Sequence, residues 1–105
     1  MLRTELTPDE KMRYECFVQD ILLKLNAHAQ DCSNLAVSSW VADLQRELEH
    51  CTSRILADLD SHRTILQQTN AIALEYCRKC SIPTLRVLLS TLTAHNDVIL
   101  MSFDP

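Results

Sequence analysis

Apolar and small residues recur along this chain in alternating steps of four and three, the spacing that keeps side chains on one face of an α-helix. The first such stripe is Tyr14, Val18, Ile21, Leu25, His28 and Cys32, widened by Phe17, Leu22 and Ala29. A start signal precedes it. Thr7 suits the N-cap, and Pro8 suits the first helical position, where its missing N–H costs nothing. Asp9 and Glu10 place negative charge at the positive end of the helix dipole. Glu10 also stands three residues after Thr7, so the two can form a reciprocal capping box. A first helix is therefore predicted over residues 8–31, with Asp31, Ser33 and Asn34 as cap and turn formers after it.

The pattern resumes with Val37, Val41, Leu44, Leu48, Cys51 and Ile55. One extra four-residue step reaches Leu59, after which His62, Leu66, Thr69, Ala73, Tyr76 and Cys80 continue the alternation. A single inserted four-residue step is a stutter, which locally unwinds a supercoil without ending a helix. Neither glycine nor proline interrupts residues 35–80. Arg54 with Asp58 and Glu75 with Lys79 are i,i+4 pairs that suit an exposed helical face. Arg78 and Lys79 suit the negative end of the dipole. The reading is one long heptad-patterned helix of 46 residues, about 69 Å in length. The alternative breaks it at residues 58–61, where Asp60 or Ser61 could cap a new helix, and gives a four-helix up-down bundle.

The last element starts at Pro83, because Ile82 before a proline is pushed away from helical geometry. Leu85, Leu88, Leu89, Leu92 and Val98 form its stripe, with Val87, Ile99, Leu100 and Met101 around it. A helix over residues 83–101 is predicted, with the apolar run after Val98 also compatible with extended chain. The fold class is thus all-α, a single helical domain over 1–105: a shorter helix at each end and a long one between them.

These lengths have a consequence. If the two shorter helices fold back on opposite halves of the long one, each cross-section holds only two helices, and two helices cannot enclose a core. Phe17, Ile21, Leu22, Trp40, Leu44, Leu48, Ile55, Leu66, Val87, Leu88 and Leu92 would then stay partly wet and mark a partner interface. The expected partner is another helical chain or a second copy of this one, and Trp40 is a favoured type of anchor.

Composition narrows the chemistry. The 105 residues include no glycine. That removes the P-loop, the dinucleotide fingerprint and the G-x-S-x-G nucleophile elbow, and argues against hairpin-rich β folds. The net charge is −4; residues 1–60 hold eleven acids and six bases, residues 61–105 three acids and four bases. Neither half is a basic footprint for phosphate backbones, so no direct nucleic-acid binding is expected. No apolar run approaches the roughly 20 residues that span a bilayer, and the opening "MLRTELTPDEK" has no signal core, so membrane insertion is not expected. Five cysteines at irregular gaps suit free thiols in a reducing, intracellular setting, cytoplasmic and/or nuclear.

The sharpest chemical motif is "YCRKC". Cys77 and Cys80 can be half of a zinc site, but the second pair of ligands is missing and no H-x3-5-H exists. A thioredoxin-type pair would open a helix after a strand, whereas this pair closes a helix. Two small apolar side chains on a packed face is the plainer reading, with a zinc-binding or thiol-redox helical protein as the alternative. His28 and His62 lie on apolar stripes and suit packed histidines. "DSH" at residues 60–62 holds triad letters, but adjacent residues on a helix cannot face one another. Thr69 within its stripe can set register. No catalytic residue, cofactor or small-molecule substrate is expected. The pattern resembles the architecture of small non-catalytic subunits of kinetochore, vesicle-tethering and lysosome-positioning assemblies, which implies a scaffold or adaptor in a multisubunit complex.

Overall fold

The computed structural model describes residues 5–31 and 35–103. Cys32, and the turn read at Ser33 and Asn34, lie outside the described residues. Four helices follow in order: α1 (Pro8–Asp31), α2 (Leu35–Leu56), α3 (His62–Lys79) and α4 (Pro83–Met101). No strand occurs among the described residues. The start of α1 is the capping box read from the sequence. Thr7 N–H donates to Glu10 Oε1 at 3.0 Å, and Glu10 N–H to Thr7 Oγ1 at 3.2 Å.

The expected long helix over 35–80 is replaced by α2 and α3, with a corner at residues 57–61, so the alternative break read at residues 58–61, with its four helices, is the one observed. The break does not arise from proline or glycine. Asp58 takes a left-handed conformation (φ 54°), a position that glycine usually fills and aspartate tolerates. Around it, Asp58 N–H donates to Ile55 C=O at 3.2 Å and Leu59 N–H to Arg54 C=O at 3.1 Å. This pair of bonds is a Schellman motif, which ends a helix while satisfying its last carbonyls. Side chains then lock the corner. Lys11 Nζ reaches both carboxylate oxygens of Asp58 at 3.1 Å, and His62 Nε2 lies 2.8 Å from Asp58 Oδ1. Arg54 pairs with Asp60 and donates to Gln68, so the expected Arg54–Asp58 pair does not form. The Glu75–Lys79 pair does, at 3.3 Å. Ser61 occupies the N-cap of α3 without a side-chain cap bond. Leu59, which continues the four-three pattern in the sequence, is 69% exposed at the corner.

Cross-links between helices give the direction of each. Lys11–Asp58 and Asn26–Gln45 run antiparallel along α1 and α2, and Arg54–Gln68 and Trp40–Tyr76 do the same along α2 and α3. Asn70–Asp97 ties α3 to α4, and Phe17–His95 ties α1 back to α4. Each helix packs on two neighbours while the diagonal pairs stay apart; α3–α4 is the most extensive pairing and α1–α4 the least. The result is an up-down four-helix bundle of 50 × 23 × 18 Å.

Four helices per cross-section close a core that two could not. Val18, Leu25, Leu44, Ile55, Ile65, Leu66, Ala73, Leu89 and Leu92 lose all solvent exposure within one chain. The two-layer arrangement, with its wet apolar stripes, is corrected accordingly. On α4 the stripe also shifts. Val98 is 68% exposed, and Asn96 is fully buried on the inward face instead. The chain stays helical through Met101, and Phe103 then folds in and is buried.

Candidate interaction surface

Of the eleven residues assigned to a partner interface from the pattern, Ile21, Leu22, Leu44, Leu48, Ile55, Leu66 and Leu92 sit inside the intramolecular core. Phe17, Trp40 and Leu88 are half-buried at its edges, and Val87 is 63% exposed. Phe17 stacks on His95, ring centroids 3.9 Å apart, across the α1–α4 seam. Partial burial there pushes the His95 imidazole below its ordinary value. Trp40 meets the Tyr76 ring edge-on, centroids 5.2 Å apart. Beside it, an open apolar cleft of about 180 Å³ is lined by Val37, Trp40, Cys80, Ile82 and Leu85. That is below the size of most small-molecule sites.

Cys77 and Cys80 are half-buried against the core at the end of α3. Cys80 N–H donates to Cys77 C=O at 3.2 Å, closing the helix, and the Cys80 thiol points to Ile82 C=O at 3.7 Å. Among the described residues no three His, Cys, Asp or Glu side chains gather into a metal-binding group. His28 is exposed, off the packed face of α1.

His62 is the buried histidine, 1% exposed, and both ring nitrogens are engaged. Leu6 N–H can only donate, so Nδ1, 2.8 Å away, is the acceptor, and Nε2 carries the proton toward Asp58. The imidazole thus ties the segment before α1 to the α2–α3 corner. Asp58 is held below the usual carboxylate range, first by the Lys11 hydrogen bond and then by His62. The sequence places His62 on the packed stripe but shows neither partner, since one lies 56 residues away.

A polar layer crosses the core further along. Tyr14, Thr69 and Asn96 are all buried. Thr69 Oγ1 donates to Ile65 C=O of its own helix at 2.8 Å. Asn96 Nδ2 donates to Asn70 Oδ1 at 3.0 Å, and Asn70 Nδ2 to Asp97 Oδ1 at 2.9 Å. The Tyr14 hydroxyl and Asn96 Oδ1 are sealed from solvent with no hydrogen-bond partner among the described residues. Burial pushes the Tyr14 phenol up to about 12, while neighbouring Asn96 and Thr69 act in the opposite direction. These groups set the rotation of α4 on α3, because turning α4 would bury Asp97 or expose Leu89.

That rotation has an outward consequence. Pro83–Met101 contains only two charged residues, Arg86 and Asp97. Thr84, Val87, Thr91, Ala94, Val98 and Met101 are all exposed and follow 3-4-3-4-3 spacing. At 100° per residue they occupy about 100° of arc, centred about 160° from the inward face of Leu85, Leu89, Leu92 and Asn96. So α4 carries two stripes, one packed inside and one facing directly away from the core. Val87, Val98 and Met101 are 63%, 68% and 72% exposed. Of the other large exposed apolar side chains, Met12 and Leu23 stand eleven residues apart on one face of α1, Leu74 lies on α3, and Leu56 and Leu59 lie at the end of α2 and the corner after it. The sequence reading puts Val98 in the packed stripe of this helix and Val87 and Met101 around it; the structure turns all three outward.

Fold and surface together define an all-α four-helix bundle with an uncharged, heptad-spaced face on its last helix. No family model, curated protein or solved structure matches the chain. Among the described residues no helix is long and apolar enough to cross a membrane.

Proposed function

We propose that this chain is a non-catalytic protein-interaction subunit, a bundle that docks a helix of another polypeptide, or of a second copy, on the outer face of α4. The observation that carries this reading is the uncharged 3-4-3-4-3 stripe from Thr84 to Met101. Regular heptad spacing on an exposed face is the geometry by which one helix receives another. Exposed ion pairs interrupt the outer surfaces of α1 and α2, where Asp9 pairs with Arg13, Asp20 with Lys24 and Asp43 with Arg46.

A non-catalytic role is supported by what the titratable groups do. His62 and Asp58 are spent on the corner, and Tyr14 is sealed in the core. Free thiols at Cys16, Cys51, Cys77 and Cys80 suit work in a reducing intracellular compartment, cytoplasmic and/or nuclear, within a multisubunit scaffold or adaptor assembly. The test is site-specific photo-crosslinking in cells, with the reactive side chain at position 94 or 91 on α4, and at Gln67 on the outer face of α3 as control. A discrete crosslinked chain from the α4 positions and none from Gln67 is expected. Equal crosslinking from both faces, or none from α4, would overturn the assignment.

A further inference from the structure

We infer that the occupant of the α4 stripe is a second copy of this chain, docked α4 on α4 in antiparallel orientation. This inference rests on the reading of α4 as a docking face and names the partner. The stripe is self-complementary in one direction only. About a two-fold axis between Leu92 and Thr93, Val87 stands opposite Val98 of the other copy, Thr91 opposite Ala94, and Thr84 opposite Met101. Each layer of an antiparallel helix pair then sets one position of the three-four repeat against the other, as such packing requires. The layers at the axis are the small ones, Thr91 and Ala94, which lets the helices approach closely where they cross.

The charges fit the same register. Arg86 and Asp97 are eleven residues apart, so both fall on the edge of α4 next to α3; Asp97 is fixed there by the Asn70 hydrogen bond. An antiparallel pair brings that edge of one helix against the same edge of the other. Arg86 then faces Asp97 of the second copy, within about 3 Å axially of the apolar layers, and the contact occurs twice by symmetry. On the opposite edge, half-buried Leu88 faces His95. A parallel pair would set the α3-side edge against the α1-side edge, and Arg86 and Asp97 would not meet. Because the stripe points away from the core, both bundles stand clear of each other. One helix pair of this length buries on the order of 1,000 Å², the lower limit of a specific interface, so the dimer is a weak one that forms at micromolar concentration.

The purified 105-residue chain, at roughly 100 µM, should sediment as a dimer, twice the 12.0 kDa chain mass. Val87→Asp with Val98→Asp should return it to monomer with its helical circular dichroism unchanged. Arg86→Asp alone sets carboxylate against carboxylate across the dimer, and Asp97→Arg alone sets guanidinium against guanidinium. Each variant should therefore dimerise at least about tenfold more weakly than the parent, as like charges at an interface repel. Mixing the two should restore a dimer containing one chain of each kind. A monomer at every concentration, with α4 positions still crosslinking to a different helical protein in cells, would overturn this inference and leave the docking reading standing. A monomer with no α4 crosslink would overturn both. A dimer that survives the paired aspartates, or single-charge variants that fail to complement each other, would place the second copy elsewhere or in another orientation.

Discussion

Replacing Asn96 by leucine should make the protein more stable, although Asn96 is fully buried and hydrogen-bonded. The side chain gives one bond, from Nδ2 to Asn70 Oδ1 at 3.0 Å, and leaves Oδ1 without a partner among the described residues. Losing the bond costs about 1 kcal/mol, and removing an unsatisfied buried acceptor returns about 1–3 kcal/mol. Burying a leucine side chain adds about 2 kcal/mol, and fitting its extra volume beside Leu92 and Tyr14 costs about 1–3 kcal/mol. The balance is a gain of about 1 kcal/mol, or about 4–8 °C in melting temperature for a domain of this size. Asn70 is only half-buried, so water can replace its lost donor. Thermal and urea unfolding of Asn96→Leu against the parent, with Tyr14→Phe and the double variant to complete a cycle, measures the effect. Destabilisation by more than about 1 kcal/mol, together with strong coupling to Tyr14→Phe, would refute the reasoning. It would mean that the Tyr14 hydroxyl donates to Asn96 Oδ1 in solution and that the layer is satisfied. A stabilised variant would identify Asn96 as a residue kept for the rotation of α4 rather than for stability.

Leu44→Ala, at a position with no solvent exposure, should cost about 2–5 kcal/mol in urea unfolding; a loss under about 1 kcal/mol would mean that the four-helix core is not closed there. Asp58→Asn should flatten the acid limb of the stability curve. Lys11 and then His62 hold the folded pKa of Asp58 below its unfolded value. Its contribution is therefore full above the unfolded pKa and is lost as pH falls through the folded one. If the Asp58→Asn variant kept the parent's acid limb from neutral pH down to roughly pH 2, the corner lock would be contradicted. Cys77→Ser with Cys80→Ser should cost about 1 kcal/mol per half-buried thiol and leave helicity intact; stoichiometric zinc in the parent, lost with folding in the variant, would revive the metal reading.

Most of the helix plan is legible in the sequence because its signals are local. The Thr7–Glu10 box, Pro8 and Pro83 depend on neighbours within a few residues, and α1 and α4 run over the predicted spans. The corner is legible only as the alternative break at residues 58–61, and three features of the sequence favour the continuous helix over it. Helix ends without proline are usually marked by glycine, and here Asp58 does that work. Leu59 continues the four-three spacing by coincidence, so a loop mimics a stutter. The groups that hold Asp58 in place, Lys11 and His62, come from α1 and α3, and a pairing across 47 residues leaves no trace in periodicity. The consequences run outward from that one corner. With a 46-residue helix, Leu44, Leu48 and Leu66 look like a wet seam; with a corner, they are core. The same holds in miniature on α4, where Val98 has the hydrophobicity of a core residue and Asn96 the position of one. The sequence orients α4 through Leu85, Leu89 and Leu92 and misplaces Val98, because Asn96 takes the inward position beside Tyr14, Thr69 and Asn70.

The central claim is that the core closes within one chain and that the docking face is separable from it. Unfolding of the protein carrying both Val87→Asp and Val98→Asp tests this most directly, followed in parallel by far-ultraviolet circular dichroism and by Trp40 fluorescence over a range of protein concentrations. The account predicts a soluble protein whose two transitions coincide, whose midpoint does not depend on concentration, and whose stability lies within about 0.5 kcal/mol of the parent monomer, as expected for exposed positions. Loss of cooperative unfolding, or a fold that forms only at high concentration, would contradict it, because the outer stripe of α4 would then be part of what holds the bundle together.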